Sequence, residues 1–480
     1  MARTSIVVIG GGISGLAAAW ELSRAANGLS GPTPRVEVIE ALDRVGGALA
    51  TTTFAGRVID LGADGFLARR TEATELVREL GWEDRLEPIA ESGASLWLRG
   101  ALWDIPPGLV LGVPTSSAAL RSVRGLSRGA LWHARRDELM PRRLIVGDDA
   151  SIGEIVRTKL GDELAYQFVE PMVGGIQAGR IDQLSAKSVF PSLLEAARAG
   201  GSLMRAMRSQ SPAPPGSEAS AVSAGPMFYS LRDGVGSIAG ELERRLRERG
   251  VVLRTNARVT AIRRTPAADY PWEVDTTSTT TPANALIVAT PATTTGELLG
   301  RFDPALDALR SVPSAGAAMV TFSLERDDVV LPERGTGVLV PLGTSWSGAS
   351  SMMVTAITFL DRKWPRLRRD DDVVVRAHVG RIDDERWLTM DDDELVARVE
   401  AELAVLLPRF TTPRHSLVQR WPSGLPQYLV GHDRLVAAAK GAASSLGVAL
   451  AGIVYDGVGV PASIGSGRRA AREALAIVGR

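Results

Sequence analysis

The chain has 480 residues, 45% hydrophobic and 23% charged, which suits about three globular domains and excludes a disordered chain, a collagen or a coiled coil. Lys+Arg and Asp+Glu are both 55, so net charge offers no global pull toward nucleic acid or anionic lipid. There is no cysteine and the four histidines are scattered, which excludes disulfides, thiolate metal sites, Fe–S clusters and a cysteinyl-flavin link, and leaves no metal-ligand spacing.

Ser5-Ile6-Val7-Val8-Ile9 reads as a short buried strand and is too short for a signal-peptide core. It runs into Gly10-Gly11-Gly12-Ile13-Ser14-Gly15-Leu16, and from Leu16 to Ala26 the pattern turns helical. A Gly-x-Gly-x-x-Gly between a strand and a helix is a dinucleotide fingerprint. Gly10 permits the tight turn, Gly12 lets a pyrophosphate reach the backbone, and Gly15 lets helix and strand pack closely. The helix N-terminus then holds the anion.

Arg35 to Ile39 reads as the second strand, with Glu40 at its end. Glu40 lies 40 − 15 = 25 residues past Gly15, with the excess over the usual spacing assigned to a longer loop at Asn27 to Pro34. An acid here accepts hydrogen bonds from an adenosine ribose and repels a 2′-phosphate, which favours FAD or NAD over NADP. Arg44-Val45-Gly46-Gly47 resembles the second fingerprint of flavoproteins with two dinucleotide-binding domains. Asp60-Leu61-Gly62-Ala63-Asp64-Gly65-Phe66 is a second glycine-rich loop, placed to approach an isoalloxazine ring.

Arg69 and Arg70 follow, ahead of a helix from Glu72 to Leu80, and either could meet an anionic substrate. Arg121 to Arg143 mixes arginines with Leu126, Leu131, Trp132 and Leu139. Such a segment can pack as a helical domain or lie on a membrane surface. Ile152 to Ala178 reads as a helix, ending in Gly174-Gly175-Ile176. Ser209 to Pro226 is rich in Ser, Pro and Ala and reads as a mobile loop. Val251 to Ile262 gives two short strands, Thr276 to Thr281 a hairpin tip, and Leu286 to Pro291 a buried strand. Strand signals at Met319–Leu324, Val338–Pro341, Ser351–Phe359 and Val373–Val379 precede a helix at Asp392–Leu407. Val448 to Gly452 is a buried strand, Asp456 to Pro461 a loop, and Ser463 to Ile477 a helix with Ser463 as candidate N-cap. The longest uncharged run, 15 residues between Lys440 and Asp456, is shorter than the roughly 20 needed to span a bilayer.

The motifs GGGISGL (Gly10 to Leu16), RVGG (Arg44 to Gly47), LSAKSVFP (Leu184 to Pro191), RWPSGLPQYLVGH (Arg420 to His432) and GVGVPASIGSG (Gly457 to Gly467) together resemble the protoporphyrinogen/coproporphyrinogen oxidase family, most closely its soluble bacterial coproporphyrinogen III oxidases. The resemblance implies an α/β (α+β overall) architecture. It has a p-hydroxybenzoate-hydroxylase-like FAD fold with two dinucleotide-binding motifs, a mixed-sheet substrate domain and a helical domain. The implied boundaries are 1–68, 227–300 and 415–480 for FAD, 69–82 and 301–414 for substrate, 83–210 helical and 211–226 a flexible loop.

Non-covalent FAD is implied, held by Gly10, Gly11, Gly12, Ile13, Ser14, Gly15, Leu16, Glu40, Ala41, Arg44, Gly46, Gly47, Gly62, Ala63, Asp64, Gly65, Val259, Trp421, Gly452, Val458, Gly459 and Val460. Arg69 or Arg70 is implied to meet a substrate propionate, and Gly174, Gly175 and Ile176 to line the substrate cavity. No protein side chain is expected to be catalytic: porphyrinogen loses three hydrides to the flavin, and dioxygen receives them as hydrogen peroxide. The expected setting is haem biosynthesis in the cytoplasm, with transient contact to the next pathway enzyme and peripheral contact with the membrane. Three alternatives stay open: a protoporphyrinogen IX oxidase, an FAD amine oxidase with Tyr455 as a cage candidate, and a non-catalytic flavin-fold binding protein.

Overall fold

The computed structural model describes residues 4–25, 34–123, 125–209, 225–265, 269–347 and 350–479. The chain divides into two compact units, one of Met1–Glu87, Met227–Val312 and Asp433–Arg480, the other of Pro88–Pro226 and Pro313–His432.

The first unit is built on a parallel five-stranded sheet in the order Val252–Arg254, Arg35–Ile39, Ser5–Ile9, Ala285–Val288, Val448–Leu450. Ser5–Ile9 is buried throughout because both sheet faces are covered, which is why these strands read as unbroken apolar runs. Helices Ile13–Ala25, Ser237–Glu248 and Val460–Val478 close one face. An antiparallel meander (Val259–Arg264, Trp272–Thr276, Thr280–Ala283) and helix Ala292–Leu299 close the other. The helices Ile13–Ala25 and Val460–Val478 touch through glycine: a Cβ on Gly467 would stand 2.1 Å from the Ser14 carbonyl oxygen. The one fully buried charge in the central strands, Glu37, is matched by Arg254 Nε at 3.0 Å and Arg35 Nη2 at 3.2 Å.

The second unit holds a seven-stranded mixed sheet: His415–Pro426, Ser314–Glu325, Asp372–Val379, Val354–Phe359, Gly337–Leu339, Ser95–Leu98 and Ala101–Asp104. Helix Asp392–Leu406 covers one face with Leu395, Val399, Leu403 and Leu406, and its start is fixed by an Asp391/Glu394 capping box. The same unit carries a helical part with its own core, including Arg128–Leu139, Ile152–Leu160, Pro191–Arg198 and Leu203–Arg208.

Several expected boundaries are corrected. Residues 86–114, expected as part of a helical region, carry short strands instead; Ser95–Leu98 and Ala101–Asp104 are a hairpin closed by Arg99 (φ 52) and Gly100 (φ 79), two positive-φ residues that suit a tight two-residue turn. Residues 69–82 lie in the first unit, not with the substrate sheet, because Arg468 binds Glu75 and Glu79 and fixes helix Thr71–Glu79 to Val460–Val478. His415–Pro426 lies in the second unit, not with the FAD strands, because it pairs along its length with Ser314–Glu325. The single helix expected over 152–178 is interrupted at Gly161 (φ 85) and becomes a π-helix over Ala165–Gly174. Pro171 inside it has no N–H to give, and a wider turn tolerates that loss. The last helix starts at Val460 rather than Ser463: Pro461 fits the first turn, where no N–H is required, and Ser463 N–H already bonds the Gly459 carbonyl. The loop at 27–34, except Pro34, and the flexible loop expected at 211–226, except its last two residues, lie outside the described residues.

Candidate functional site

The strand-to-helix turn at Gly10–Leu16 is shaped by what its glycines exclude. Gly10 has φ +103, and a Cβ there would meet the Ala289 carbonyl oxygen at 2.5 Å. A Cβ on Gly15 would stand 1.9 Å from the Gly10 carbonyl oxygen, so this glycine sets the helix-to-strand distance. Gly12 differs: a Cβ there would find nothing within 4 Å. Its missing side chain therefore serves open space, as a passing pyrophosphate requires. Leu16 N–H is the first to bond back, to Gly12 O at 2.9 Å, and the N–H groups of Ile13, Ser14 and Gly15 make no bond among the described residues. They form the positive end of a 13-residue helix.

Glu40 stands at the end of its strand and is 9% exposed. Its Oε2 accepts from Gly11 N–H at 2.6 Å and its Oε1 from Leu42 N–H at 2.8 Å. A carboxylate offers about four lone-pair sites, so two remain for ribose hydroxyls. Ala41 follows, half-buried, and the 254–257 segment wraps the same point through Glu40 N–H to Arg254 O and Ala257 N–H to Glu40 O, leading to Val259.

The second fingerprint joins the first directly. Gly46 N–H bonds Gly11 O at 2.8 Å, and Gly12 and Gly46 form a parallel bridge. Gly46 and Gly47 both have positive φ, and Arg44 Nη2 donates to Gly47 O at 2.9 Å. Arg44 thus braces its own loop. Gly62 packs against this loop, since a Cβ on it would stand 2.2 Å from Ala48 O. Ala63 is exposed and Asp64 and Gly65 partly so, with Asp64 O held by Ser230 Oγ.

The C-terminal loop carries Gly452, Val458, Gly459 and Val460. Gly459 (φ 110) caps the 19-residue helix Val460–Val478 without a side-chain partner, which leaves that N-terminus open to a ligand. Asp456 organises the loop, and sequence reasoning missed it. It receives Lys440 Nζ at 2.7 Å, Arg469 Nη2 at 2.7 Å and the Ser466 hydroxyl at 2.5 Å, while Ser466 Oγ accepts from Gly452 N–H at 3.0 Å. Burial alone would raise its carboxyl, but these hydrogen bonds outweigh it and hold the group below its ordinary value.

Of the two candidate arginines, Arg70 approaches this loop. A Cβ on Gly457 would lie 4.0 Å from Arg70 Nη2. Both Arg69 and Arg70 are exposed, and neither has an ion pair among the described residues. Arg70 is the N-cap of helix Thr71–Glu79, the end where a cation is least favoured. Tyr455 is 7% exposed within the apolar cluster that includes Leu286 and Val436, and burial pushes its hydroxyl up to about 12. It is a core side chain rather than a wall of an amine cage.

In the second unit, Gly174-Gly175-Ile176 leaves the π-helix and is closed by Gly179 N–H to Gly174 O at 3.1 Å. Ile176 is 55% exposed, and a Cβ on Gly175 would meet nothing within 4 Å. Behind this segment lies Glu170, fully buried, which no sequence signal marked. Its Oε2 accepts from Ile181 N–H at 2.9 Å, and its Oε1 stands 3.5 Å from both Arg180 Nε and Arg381 Nη1. Trp421 is also in the second unit, in register with Ala317.

A family model described as flavin containing amine oxidoreductase matches residues 13–475. The chain belongs to that family. Coproporphyrinogen III oxidase of Bacillus subtilis (strain 168) is 31% identical over 475 residues, covering 98% of this chain and 98% of its own. The enzyme of that name from Mycobacterium leprae (strain TN) is 33% identical over 484 residues, covering 100% of both. A crystal structure assigned to a protoporphyrinogen oxidase from Exiguobacterium sp. 255-15 superposes with a TM-score of 0.85 at 29% identity over the whole of both chains. These relatives place the chain in the porphyrinogen oxidase branch that its motifs resemble. As an oxidoreductase of this flavin family it uses FAD. The first unit fits that cofactor at three points: open space over Gly12, spare acceptor capacity on Glu40 and an uncapped helix at Gly459.

Proposed function

We propose that the protein oxidises coproporphyrinogen III to coproporphyrin III, with dioxygen as the final acceptor. The observation that carries this reading is the full-length match to two coproporphyrinogen III oxidases, combined with an intact glycine cradle. FAD, when bound, supplies the hydride acceptor. Three hydrides and three protons leave the porphyrinogen, and three dioxygen molecules become three hydrogen peroxides. The pyrrole nitrogens can release the protons, so the chain need supply no general base.

The residues then act by binding and orientation. Gly10–Gly15 and the helix behind them would hold the pyrophosphate of FAD, Glu40 would hold its ribose, and the helix N-terminus at Gly459 would favour negative charge on the flavin. Arg70 provides a guanidinium suited to a propionate. Gly175 keeps a wall of the substrate cavity free of side chains, Gly174 lets the segment pack against the Gly179 carbonyl, and Ile176 supplies an apolar contact. Positioning of this kind can supply much of a rate enhancement.

The protein works beside a membrane in this reading. Among the described residues no helix is long and apolar enough to cross one. Trp132, Leu139, Met140 and Ile145 are 56%, 76%, 72% and 85% exposed, interspersed with Arg135, Arg136, Arg142 and Arg143. Such a mixture suits an anionic lipid surface.

The test is to mix the FAD-loaded protein in air with coproporphyrinogen III and, separately, protoporphyrinogen IX, and to follow porphyrin fluorescence. Faster turnover of the first is expected. Faster turnover of the second would transfer the reading to protoporphyrinogen oxidation, the activity for which the Exiguobacterium relative is named. No turnover of either, with flavin bound, would overturn both.

A further inference from the structure

The second unit contains a cavity of about 320 Å³ that the flavin chemistry does not use. Arg326, Arg362 and Arg368 open on it from three different segments, together with Asp361, Val329 and Val373. Arg326 follows strand Ser314–Glu325, Arg362 lies in the short helix Leu360–Lys363, and Arg368 ends the turn after it.

Each guanidinium is fixed on one edge by main-chain carbonyls. Arg326 donates through Nε to Asp370 O at 3.0 Å and through Nη2 to Arg369 O at 2.8 Å. Arg362 donates through Nη1 to Pro332 O and Gly335 O. Arg368 donates through Nε to Asp361 O at 3.1 Å. Among the described residues none of the three forms an ion pair with a carboxylate, and Arg326 Nη1, Arg362 Nη2 and Arg368 Nη1 make no hydrogen bond. Two carboxylates also line it: Asp370, which is exposed, and Asp361, 5% exposed, whose Oδ1 is buried without a partner.

We propose that this cavity binds a small molecule bearing a phosphate group. A planar carboxylate is satisfied by one guanidinium fork, whereas a tetrahedral dianion accepts from several directions at once. Three pre-fixed guanidiniums from three segments match the second geometry. Anchoring by main-chain carbonyls also removes much of the ordering cost that an arginine otherwise brings to a bond. The volume lies at the lower end of the roughly 300–1,000 Å³ typical of small-molecule sites, so there is room for an organic body beside the phosphate. Val329 and Val373, both buried, provide its apolar wall.

Calorimetric titration of the FAD-loaded protein with inorganic pyrophosphate, inorganic phosphate and acetate tests this. FAD keeps the pyrophosphate probe out of the Gly10–Gly15 cradle. Saturable binding of pyrophosphate or phosphate is expected, weakened about tenfold or more in each of Arg326→Ala and Arg368→Ala, the scale of one charge-assisted hydrogen bond. Both side chains are exposed, and unchanged thermal melts and flavin absorbance would establish that the variants fold. Absence of saturable binding, equal binding by both variants and the parent, or acetate binding as tightly as pyrophosphate would each overturn the proposal.

Discussion

Glu170 Oε1 and Arg381 Nη1 face one another at 3.5 Å, and neither atom makes a hydrogen bond. Both side chains are buried, at 0% and 5% exposure. Burial raises the Glu170 carboxyl and lowers the Arg381 guanidinium, and each partner's charge opposes the shift of the other. Removing one member of such a pair leaves an uncompensated buried charge, which costs about 3–5 kcal/mol. Glu170→Ala and Arg381→Met should each destabilise the fold by that order. The double variant should cost clearly less than the two added together, because Glu170→Ala strands Arg381, while Arg381→Met leaves Glu170 Oε1 with only the more exposed Arg180 at 3.5 Å. Urea denaturation of the four proteins measures this, and strict additivity would show that the pair does not interact.

Gly12 and Gly15 separate binding from folding within one motif. Gly12→Val should leave the melting temperature of the apoprotein nearly unchanged, since its Cβ enters open space, and yet yield protein without flavin. Gly15→Ala places a Cβ 1.9 Å from a main-chain oxygen and should destabilise the apoprotein itself, by about 1–3 kcal/mol or more. Flavin absorbance per protein and circular-dichroism melts distinguish the two. Yellow Gly12→Val protein would remove this glycine from the pyrophosphate path.

Glu40→Ala should weaken FAD binding by roughly 1.5–3 kcal/mol, the scale of hydrogen bonds to a charged group. Glu40→Gln keeps one acceptor oxygen, for either the Gly11 or the Leu42 N–H, and should fall between parent and alanine variant. Equal flavin affinity in all three proteins would count against the ribose role.

The parallel sheet and its first loop were legible because their signals are local. Ile6 to Ile9 are buried on both faces and so unbroken in sequence, and the spacing from Gly10 to Gly15 encodes contacts within one turn. The hairpin at Arg99-Gly100 escaped because arginine is not a residue that positive φ favours, so nothing in the sequence announces that turn. The N-terminus at Val460 escaped because Gly459 caps it with no side chain, while Ser463 imitates a cap one turn later. Glu170 and Arg381 could not have been paired from sequence: they come from a π-helix and from the residue just after Gly380, far apart in the chain. Arg70 was half legible. Its type suggested an anion, and only the approach to Gly457 separates it from Arg69.

Asp456 and Glu170 bind their protons with opposite effects on stability. Asp456 is held below its ordinary value of 3.8, so its contribution is present above that pH and is lost as pH falls through the folded-state value. Glu170 is held above 4.5, so its contribution is complete below that pH and is lost as pH rises through the folded-state value. Asp456→Asn should therefore be less stable than the parent at neutral pH by about 1.5–3 kcal/mol, with the gap narrowing as pH drops below 3.8. Urea midpoints between neutral pH and pH 3 follow this. A gap that stays constant across the range would mean that Asp456 acts through shape rather than charge.

Arg70 is exposed, lacks an ion pair among the described residues, and caps a helix at its unfavourable end. A cation kept in such a place adds little to the fold, so Arg70→Ala should leave the melting temperature unchanged or slightly raised. Its effect should appear with substrate. KM for coproporphyrinogen III should rise several-fold while the rate of flavin reduction at saturation changes little, as expected for a contact made equally in ground and transition states. Arg70→Lys should recover only part of the loss, because an ammonium cannot form the bidentate fork. Arg69→Ala serves as the control and should resemble the parent. A fall in flavin reduction at unchanged KM would place Arg70 at the cofactor instead of at a propionate.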